Sequence, residues 1–138
     1  MPADDAIYEA VKNALLKDGW IITNDPLTLE YGEFYLFVDL GVEKVIAAAR
    51  GPERVAVEIK SFRGRSHVHD LQHAVGQYIL YKLFLQQLDP DRVLYLAISD
   101  TAYADHFDKA ATRFVIDSLR IPLIVVRIDT EEVVQWNE

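Results

Sequence analysis

The sequence predicts a mixed α/β sandwich, in which a central mixed sheet is flanked by helices. Helix-like and strand-like patterns follow one another in the order αβββαβαβ, which is typical of this class. Two nearly all-apolar segments, residues 92–99 and 121–128, are typical of strands at the centre of a sheet. The 138 residues, of which 51% are hydrophobic and 26% charged, fit a single globular domain over residues 1–138.

The first half of the chain predicts one helix and three strands. Residues 5–18 carry apolar side chains at helical spacing, and Gly19 follows as a stop. Residues 40–50 fit either a helical turn or a strand. The strands are expected at residues 20–23, 34–38 and 54–62, with turns at Asn24-Asp25-Pro26 and Gly51-Pro52.

A long helix is predicted over residues 67–88, with Ser66 as its N-cap and Asp89-Pro90-Asp91 as its end. Further apolar residues surround the second half of this helix, which favours burial on several sides or contact with another subunit. One apolar stripe is expected to contain Val68, Leu71, Val75, Tyr78, Ile79 and Leu83.

The remaining elements alternate between strand and helix. A strand over residues 92–99 precedes a helix over residues 101–118. The apolar strand at residues 121–128 then leads to a short final strand at residues 133–136.

Composition narrows the classes of function. A net charge of -8 argues against broad, charge-driven coating of nucleic acid, although it leaves room for a small local site. The absence of cysteine excludes disulfides and thiolate metal sites. No apolar run approaches the ~20 residues that span a bilayer, and no signal-peptide pattern is present, so a cytoplasmic protein without a membrane segment is expected.

The stretch VAVEIKS, residues 55–61, places Glu58 and Lys60 on one face of a strand, because side chains at i and i+2 point the same way. Asp39 directly follows another apolar strand. Two carboxylates on neighbouring strands could hold Mg²⁺ or Mn²⁺, and a lysine beside them could orient an attacking water. The structural alternatives are an exposed ion pair for Glu58 and Lys60 and a turn carboxylate for Asp39.

The placement of Asp39 raises a question of register. If Gly51-Pro52 forms a tight hairpin turn, Glu58 lies opposite Val45 or Ile46, several positions beyond Asp39. In that case residues 40–44 must fold back as a turn before the two carboxylates can meet.

Other polar residues have weaker functional interpretations. His67, His69, His73 and Asp70 form the pattern HVHDLQH, but a solvated or site-lining helix face fits it better than a zinc site. Arg63 and Arg65 fit a local phosphate contact and a solvated loop about equally well. Ser61 fits a strand-end hydroxyl better than a phosphate ligand.

Four segments carry a family resemblance: YEAVKNALLKDGW at residues 8–20, YLFVDLGVEKVIAA at 35–48, VAVEIKSF at 55–62 and GQYILYK at 76–82. They resemble the XisH family, the cyanobacterial excision-controlling factors of the fdxN DNA element. The αβββαβ core and the D…ExK pattern resemble the PD-(D/E)XK nuclease superfamily, whose members include restriction endonucleases.

The resemblance implies a restriction-endonuclease-like sandwich and a catalytic set of Asp39, Glu58, Lys60, Glu9 and Gln77. For Glu9, an ordinary solvated helix glutamate is an equal alternative. Asp39 and Glu58 would bind the metal. Val38 stands where the name of the motif has proline.

Two functions are implied by this resemblance. The chain is expected to be an excision-controlling factor that acts as a Mg-dependent DNA endonuclease. The alternative is a catalytically inactive regulatory module in site-specific recombination, acting through other element-excision factors. A homo-oligomer through helix 67–88 is compatible with both functions.

Overall fold

The computed structural model describes residues 2–47 and 51–137. Its helices are α1 (Pro2–Lys17), α2 (His67–Leu88), α3 (Asp100–Ala102) and α4 (Ala110–Leu119), with a π-helical turn at Tyr103–Phe107 between the last two. Its strands are β1 (Ile21–Asn24), β2 (Leu27–Tyr31), β3 (Phe34–Val38), β4 (Leu40–Ala47), β5 (Gly51–Ile59), β6 (Val93–Ser99), β7 (Leu123–Arg127) and β8 (Glu132–Asn137).

Six strands form the central sheet in the order β1-β4-β5-β6-β7-β8. The β5–β6 and β6–β7 pairs are parallel, and the other pairs are antiparallel. Helical connections carry the chain between the parallel strands, as such pairs require. β6 and β7 lie inside the sheet and are buried almost throughout, as their apolar sequences predicted. The predicted mixed sheet with flanking helices is confirmed.

The two faces of the sheet are covered by different elements. On one face, Val11 and Leu15 of α1 are fully buried in a cluster with Leu40 and Val57 of the sheet. On the other face, α2, α4 and the β2–β3 hairpin pack over side chains such as Ala56. Glu58 and Lys60 share the side-chain parity of Ala56, because alternate residues of a strand face the same way. They therefore belong to the face covered by α2.

Helix α2 begins and ends where the sequence predicted. The hydroxyl of Ser66 accepts a hydrogen bond from the His69 N–H at 3.2 Å, and Asp89 is the C-cap. The predicted apolar stripe is wrong in part, since Val68 and Leu83 are 63% and 54% exposed. Since α2 lies against the sheet and the hairpin only along one narrow line, the buried positions follow that line. They are Ala74, Tyr78, Tyr81 and Leu85.

The tight turn expected at Gly51-Pro52 is wrong, because both residues belong to β5, so the fold-back of residues 40–44 that it would have required does not arise. β4 runs as a strand from Leu40 to Ala47, and Ala47 pairs with Gly51. Residues 48–50 of the ambiguous segment lie outside the described residues. In the observed register Leu40 pairs with Val57. This pairing brings the preceding residue, Asp39, next to Glu58 without any fold-back.

Two further elements differ from the prediction. The sequence analysis missed β2, which pairs antiparallel with β3 in a separate two-stranded sheet. The expected helix over residues 101–118 is divided into α3, the π-helical turn and α4. Fully buried Phe107 packs edge-on against Phe62 at 4.8 Å between ring centroids, and the chain turns directly after it. No helix within the described residues is long and apolar enough to cross a membrane.

Candidate active site

Asp39 and Glu58 meet where the chain passes from the hairpin into the central sheet. Asp39 occupies a bend between β3 and β4, and Glu58 is the penultimate residue of β5. The Ile59 N–H donates to Asp39 Oδ2 at 2.8 Å, and the Asp39 N–H donates to Glu58 Oε1 at 3.2 Å. Each carboxylate thus accepts a hydrogen bond from the backbone at or next to the other acid, and these two bonds hold the pair side by side.

Lys60, the residue directly after β5, completes the cluster. Its Nζ lies 3.4 Å from Glu58 Oε2, and its backbone N–H donates to the Ala97 carbonyl of β6 at 3.0 Å. The backbone bond anchors Lys60 to the central sheet, so its side chain emerges beside that of Glu58. The structure therefore brings together the three residues of the predicted D…ExK pattern.

These side chains line a cavity of about 320 Å³ at the end of β5, to which the start of α1 also contributes. Glu58 is 6% exposed, so its side chain is almost fully buried there. The cavity is lined by Asp5, Ile7 and Tyr8 of α1 and by Asp39, Glu58, Ile59 and Lys60.

The cluster carries one more negative than positive charge when both acids are ionised. Burial, and then the neighbouring charge of Asp39, raise the pKa of Glu58 to about 7. Burial also raises the pKa of Asp39, although the hydrogen bond from Ile59 and the charge of Lys60 oppose this change. A cation placed between the carboxylates of Asp39 and Glu58 would favour the ionised forms of both acids.

Gln77 does not line the cavity, and its side chain bonds to Tyr81, a residue near the two acids that the sequence analysis missed. Gln77 Nε2 donates to the Tyr81 hydroxyl at 3.2 Å, whereas Gln77 Oε1 is buried with no hydrogen-bond partner among the described residues. Burial raises the pKa of Tyr81 to about 12, and the charges of Glu58 and Asp39 add to this effect. Tyr81 follows Gln77 by one helical turn, and this i,i+4 spacing was the available signal.

Glu9 lies apart from the cluster. Its side chain is exposed and does not line the cavity, which α1 instead lines with Asp5, Ile7 and Tyr8. Asp5 precedes Glu9 by one helical turn and is the acid that α1 presents to this cavity. The catalytic role expected for Glu9 stays a prediction.

The histidine-rich start of α2 lies beside the site. His73 and Asp70 line a neighbouring cavity of about 220 Å³ together with Lys60 and Ser61. Asp70 Oδ2 accepts a hydrogen bond from the Gly64 N–H at 2.9 Å, which fixes the loop after β5. Within residues 2–47 and 51–137, no three His, Cys, Asp or Glu side chains are grouped to hold a metal ion. The candidate metal ligands are therefore the two carboxylates of Asp39 and Glu58.

The fold and the site define a mixed α/β protein that gathers two acids and a lysine in a cavity at the end of a sheet strand. The family model described as XisH protein matches residues 1–134. The chain belongs to the XisH family.

Two solved structures agree with this assignment. A crystal structure of an XisH family protein from Nostoc punctiforme is 34% identical, covers 97% of this chain and 100% of its own, and superposes with a TM-score of 0.88. An fdxN element excision controlling factor protein from Anabaena variabilis is 36% identical, with coverages of 97% and 99% and the same TM-score of 0.88. No curated protein matches the chain significantly.

Proposed function

We propose that this XisH family chain acts in the excision of a DNA element as a metal-dependent DNA endonuclease. The observation that carries this proposal is the meeting of Asp39, Glu58 and Lys60 in one cavity. A structural ion pair would balance its charges, whereas this cluster buries two acids against one ammonium group. Such an imbalance is typical of a site that binds a cation.

The residues present fit a bound Mg²⁺ or Mn²⁺. Hard cations prefer carboxylate oxygens, and Mg²⁺ is commonly held by one or two carboxylates, with water and phosphate completing its coordination. Asp39 and Glu58 would hold the ion. When bound, such an ion polarises a phosphoryl oxygen and lowers the pKa of a bound water.

The chain's own side chains would then position the reactants. Lys60 Nζ, held near Glu58, would orient the attacking water and stabilise negative charge that develops on the phosphate. Gln77 would act on the site through Tyr81 rather than directly. The PD-(D/E)XK nucleases use a similar D…ExK arrangement, and the αβββαβ resemblance supports the same use here.

DNA would be held locally rather than over a broad surface. The net charge of -8 disfavours general phosphate binding. Arg63 and Arg65 are exposed on the loop that follows Lys60, and they would supply phosphate contacts beside the cavity. Binding by this chain alone should therefore be weak and strongly dependent on salt.

The direct test is cleavage of supercoiled, linear and branched DNA by the purified protein. Nicking or cutting should require Mg²⁺ or Mn²⁺ and stop in EDTA, and Lys60→Ala should remove it. Lys109→Ala, which removes an exposed lysine outside the cavity, is the matched control and should retain activity. Absence of cleavage on every substrate, together with no calorimetric heat from Mn²⁺ that depends on Asp39 and Glu58, would refute the proposal.

A second candidate function is a regulatory module without turnover. The observation that favours it is the apolar surface of α2, where Leu80, Leu83 and Leu88 are 48%, 54% and 45% exposed. A second copy of the chain, or another element-excision factor, would cover this surface. Sedimentation should then reveal an oligomer or a complex that Leu83→Glu disrupts, and a strict monomer without partners would count against this function.

A further inference from the structure

A second cavity, of about 480 Å³, lies beside the candidate active site and has no role in the proposed reaction so far. It is lined by Ser61 just after β5, by Ser99 at the end of β6, and by Ile128 just after β7. These are the carboxyl ends of the three parallel strands. Crevices at this position are the usual ligand sites of α/β sheets.

The cavity has a buried floor and a charged rim. Phe62, Ser99 and Ala102 are 8%, 9% and 5% exposed and form the floor. Arg63 and Asp129 are exposed and line the rim. The lining therefore combines buried side chains with exposed charged ones.

A flat aromatic group also lines the cavity. The His106 ring stacks on His67 with centroids 4.0 Å apart and planes 8° apart. His67 is itself fixed by a hydrogen bond of 2.9 Å between its Nε2 and the Thr112 hydroxyl. His106 is thus held as part of a stack that could continue onto a planar ligand.

The backbone after β5 connects this cavity with the candidate active site. Lys60 lines the cavity that holds Asp39 and Glu58 as well as the 220 Å³ cavity beside it. Ser61 and Phe62 line that neighbouring cavity and also the 480 Å³ cavity. Ile7 of α1 lines both the cavity that holds Asp39 and Glu58 and the 480 Å³ cavity.

We propose that the 480 Å³ cavity binds an unpaired nucleobase of the DNA strand whose phosphate lies at the candidate active site. This inference rests on the proposed function and names its substrate class: DNA with a bulge, flap or single-stranded segment at the cutting position.

The charges of the cavity favour the base over the phosphate. Asp105 and Asp129 repel phosphate, but they accept hydrogen bonds from the exocyclic amino groups of adenine, cytosine and guanine. Arg63, on the same loop as Lys60, would contact the adjoining phosphate. His106 and Phe62 would supply the stacking surfaces that pockets for extruded bases use.

The test is binding of a duplex with one bulged 2-aminopurine, compared with the same duplex fully paired, in EDTA. The bulged DNA should bind at least about tenfold more tightly, since a paired base must first be opened. The bound 2-aminopurine should also be shielded from acrylamide quenching. Because EDTA stops cleavage, this readout is independent of the proposed nuclease activity.

Asp105→Ala and Asp129→Ala should each weaken binding of the bulged DNA about tenfold, although each lowers the net negative charge of the protein. Asp91→Ala makes the same charge change at an exposed position outside the cavity, and it should not weaken binding. Equal affinity for bulged and paired DNA, or equal effects of the three variants, would overturn the inference even if cleavage is found.

Free deoxyadenosine monophosphate should be measured alongside the two duplexes. Tighter binding of the bulged DNA than of the free nucleotide would assign the cavity to DNA, and the reverse order would overturn that assignment. If the bulged base binds but no DNA is cleaved, the proposed endonuclease activity is refuted, while the proposed binding of a base in the 480 Å³ cavity stands.

Discussion

Two clusters of charged side chains lie at opposite ends of β5, and they are built differently. Near the start of the strand, Arg54 forms a bidentate pair with Asp89 at 2.6 and 2.7 Å, and buried Arg92 donates to Asp89 at 3.1 Å. Glu43 lies 3.7 Å from Arg92 and brings the total to two cations and two anions. Near the end of the strand, Asp39 and Glu58 share a single cation.

The pKa directions follow this difference in charge. The hydrogen bond from Arg54 is the main reason that the pKa of Asp89 is lowered, whereas burial raises the pKa of Asp39 and Glu58. A balanced cluster favours its ionised forms and stabilises the fold. An unbalanced one is held in place by the surrounding fold and is available for a ligand.

The largest expected effect comes from breaking the balanced cluster. Arg92→Met should lower the free energy of unfolding by about 2–4 kcal/mol, because Asp89 loses a charged hydrogen bond and the buried Val55 carbonyl loses its donor. Arg113→Met, in the more exposed Arg113–Asp117 pair, is the control and should cost less than about 1 kcal/mol. Urea unfolding measures both. Equal losses would mean that the cluster around Arg92 is not structural.

Neutralising an acid in the cluster of Asp39, Glu58 and Lys60 should stabilise the protein, whereas removing Arg92 destabilises it. Glu58 has a raised pKa, so the folded protein binds more protons than the unfolded chain between about pH 4.5 and 7, and stability must fall as the pH rises through this window. Glu58→Gln should remove this loss and stabilise the protein at pH 8 by up to roughly 3 kcal/mol.

Thermal unfolding at pH 4 and pH 8 measures this response. Glu53→Gln, at an exposed position on the same strand, is the control and should leave the pH dependence unchanged. Glu58→Gln should also eliminate binding of Mn²⁺. A destabilised Glu58→Gln protein at pH 8 would contradict the charge imbalance on which the site depends.

A close backbone approach near the balanced cluster should give an intermediate effect. A Cβ at Gly41 would lie 2.6 Å from Arg92 Nη1 and 2.8 Å from Asn24 Oδ1, so Gly41→Ala should cost about 1–3 kcal/mol. Gly76→Ala is the control, because its Cβ meets nothing within 4 Å and helix propensity should add about 0.5–1 kcal/mol. Urea unfolding of both should show opposite signs.

The smallest expected effect comes from removing the Tyr81 hydroxyl, which lies near the cluster of Asp39, Glu58 and Lys60. Tyr81→Phe removes the hydroxyl that accepts from Gln77 and should lower the free energy of unfolding by about 1 kcal/mol. Tyr35→Phe, at a side chain that is 60% exposed, should have no measurable effect. A loss of DNA cleavage with little change in stability would identify Tyr81 as a positioning residue.

Local signals predicted much of this architecture. Ser66 and Asp89-Pro90-Asp91 fixed the ends of α2, and the period-2 pattern of residues 55–61 placed Glu58 and Lys60 together. Such features depend on neighbouring residues only. β2 was missed although Leu27, Leu29 and Tyr31 alternate with polar residues.

Features that depend on distant contacts could not be obtained in the same way. The register between β4 and β5 decides which residue lies opposite Glu58. The expected turn at Gly51-Pro52 placed Val45 or Ile46 there, whereas the observed register places Asp39 there. Likewise, the break after Phe107 depends on packing against Phe62. The cavity at the ends of β5, β6 and β7 involves segments far apart in sequence, so only the folded chain reveals it.

Asp39 is the single residue between β3 of the hairpin and β4 of the central sheet, whereas Asp25 and Pro26 connect β1 of the sheet to β2. The hairpin is held on α2 by contacts such as those of Tyr31 and Phe34 with Phe84, at 5.3 and 5.6 Å between ring centroids. It shares no strand pairing with the six-stranded sheet. If the hairpin detaches before the sheet unfolds, Asp39 is released first. Binding of Mn²⁺ at the proposed site should then be lost at a lower temperature than the one at which the central sheet unfolds.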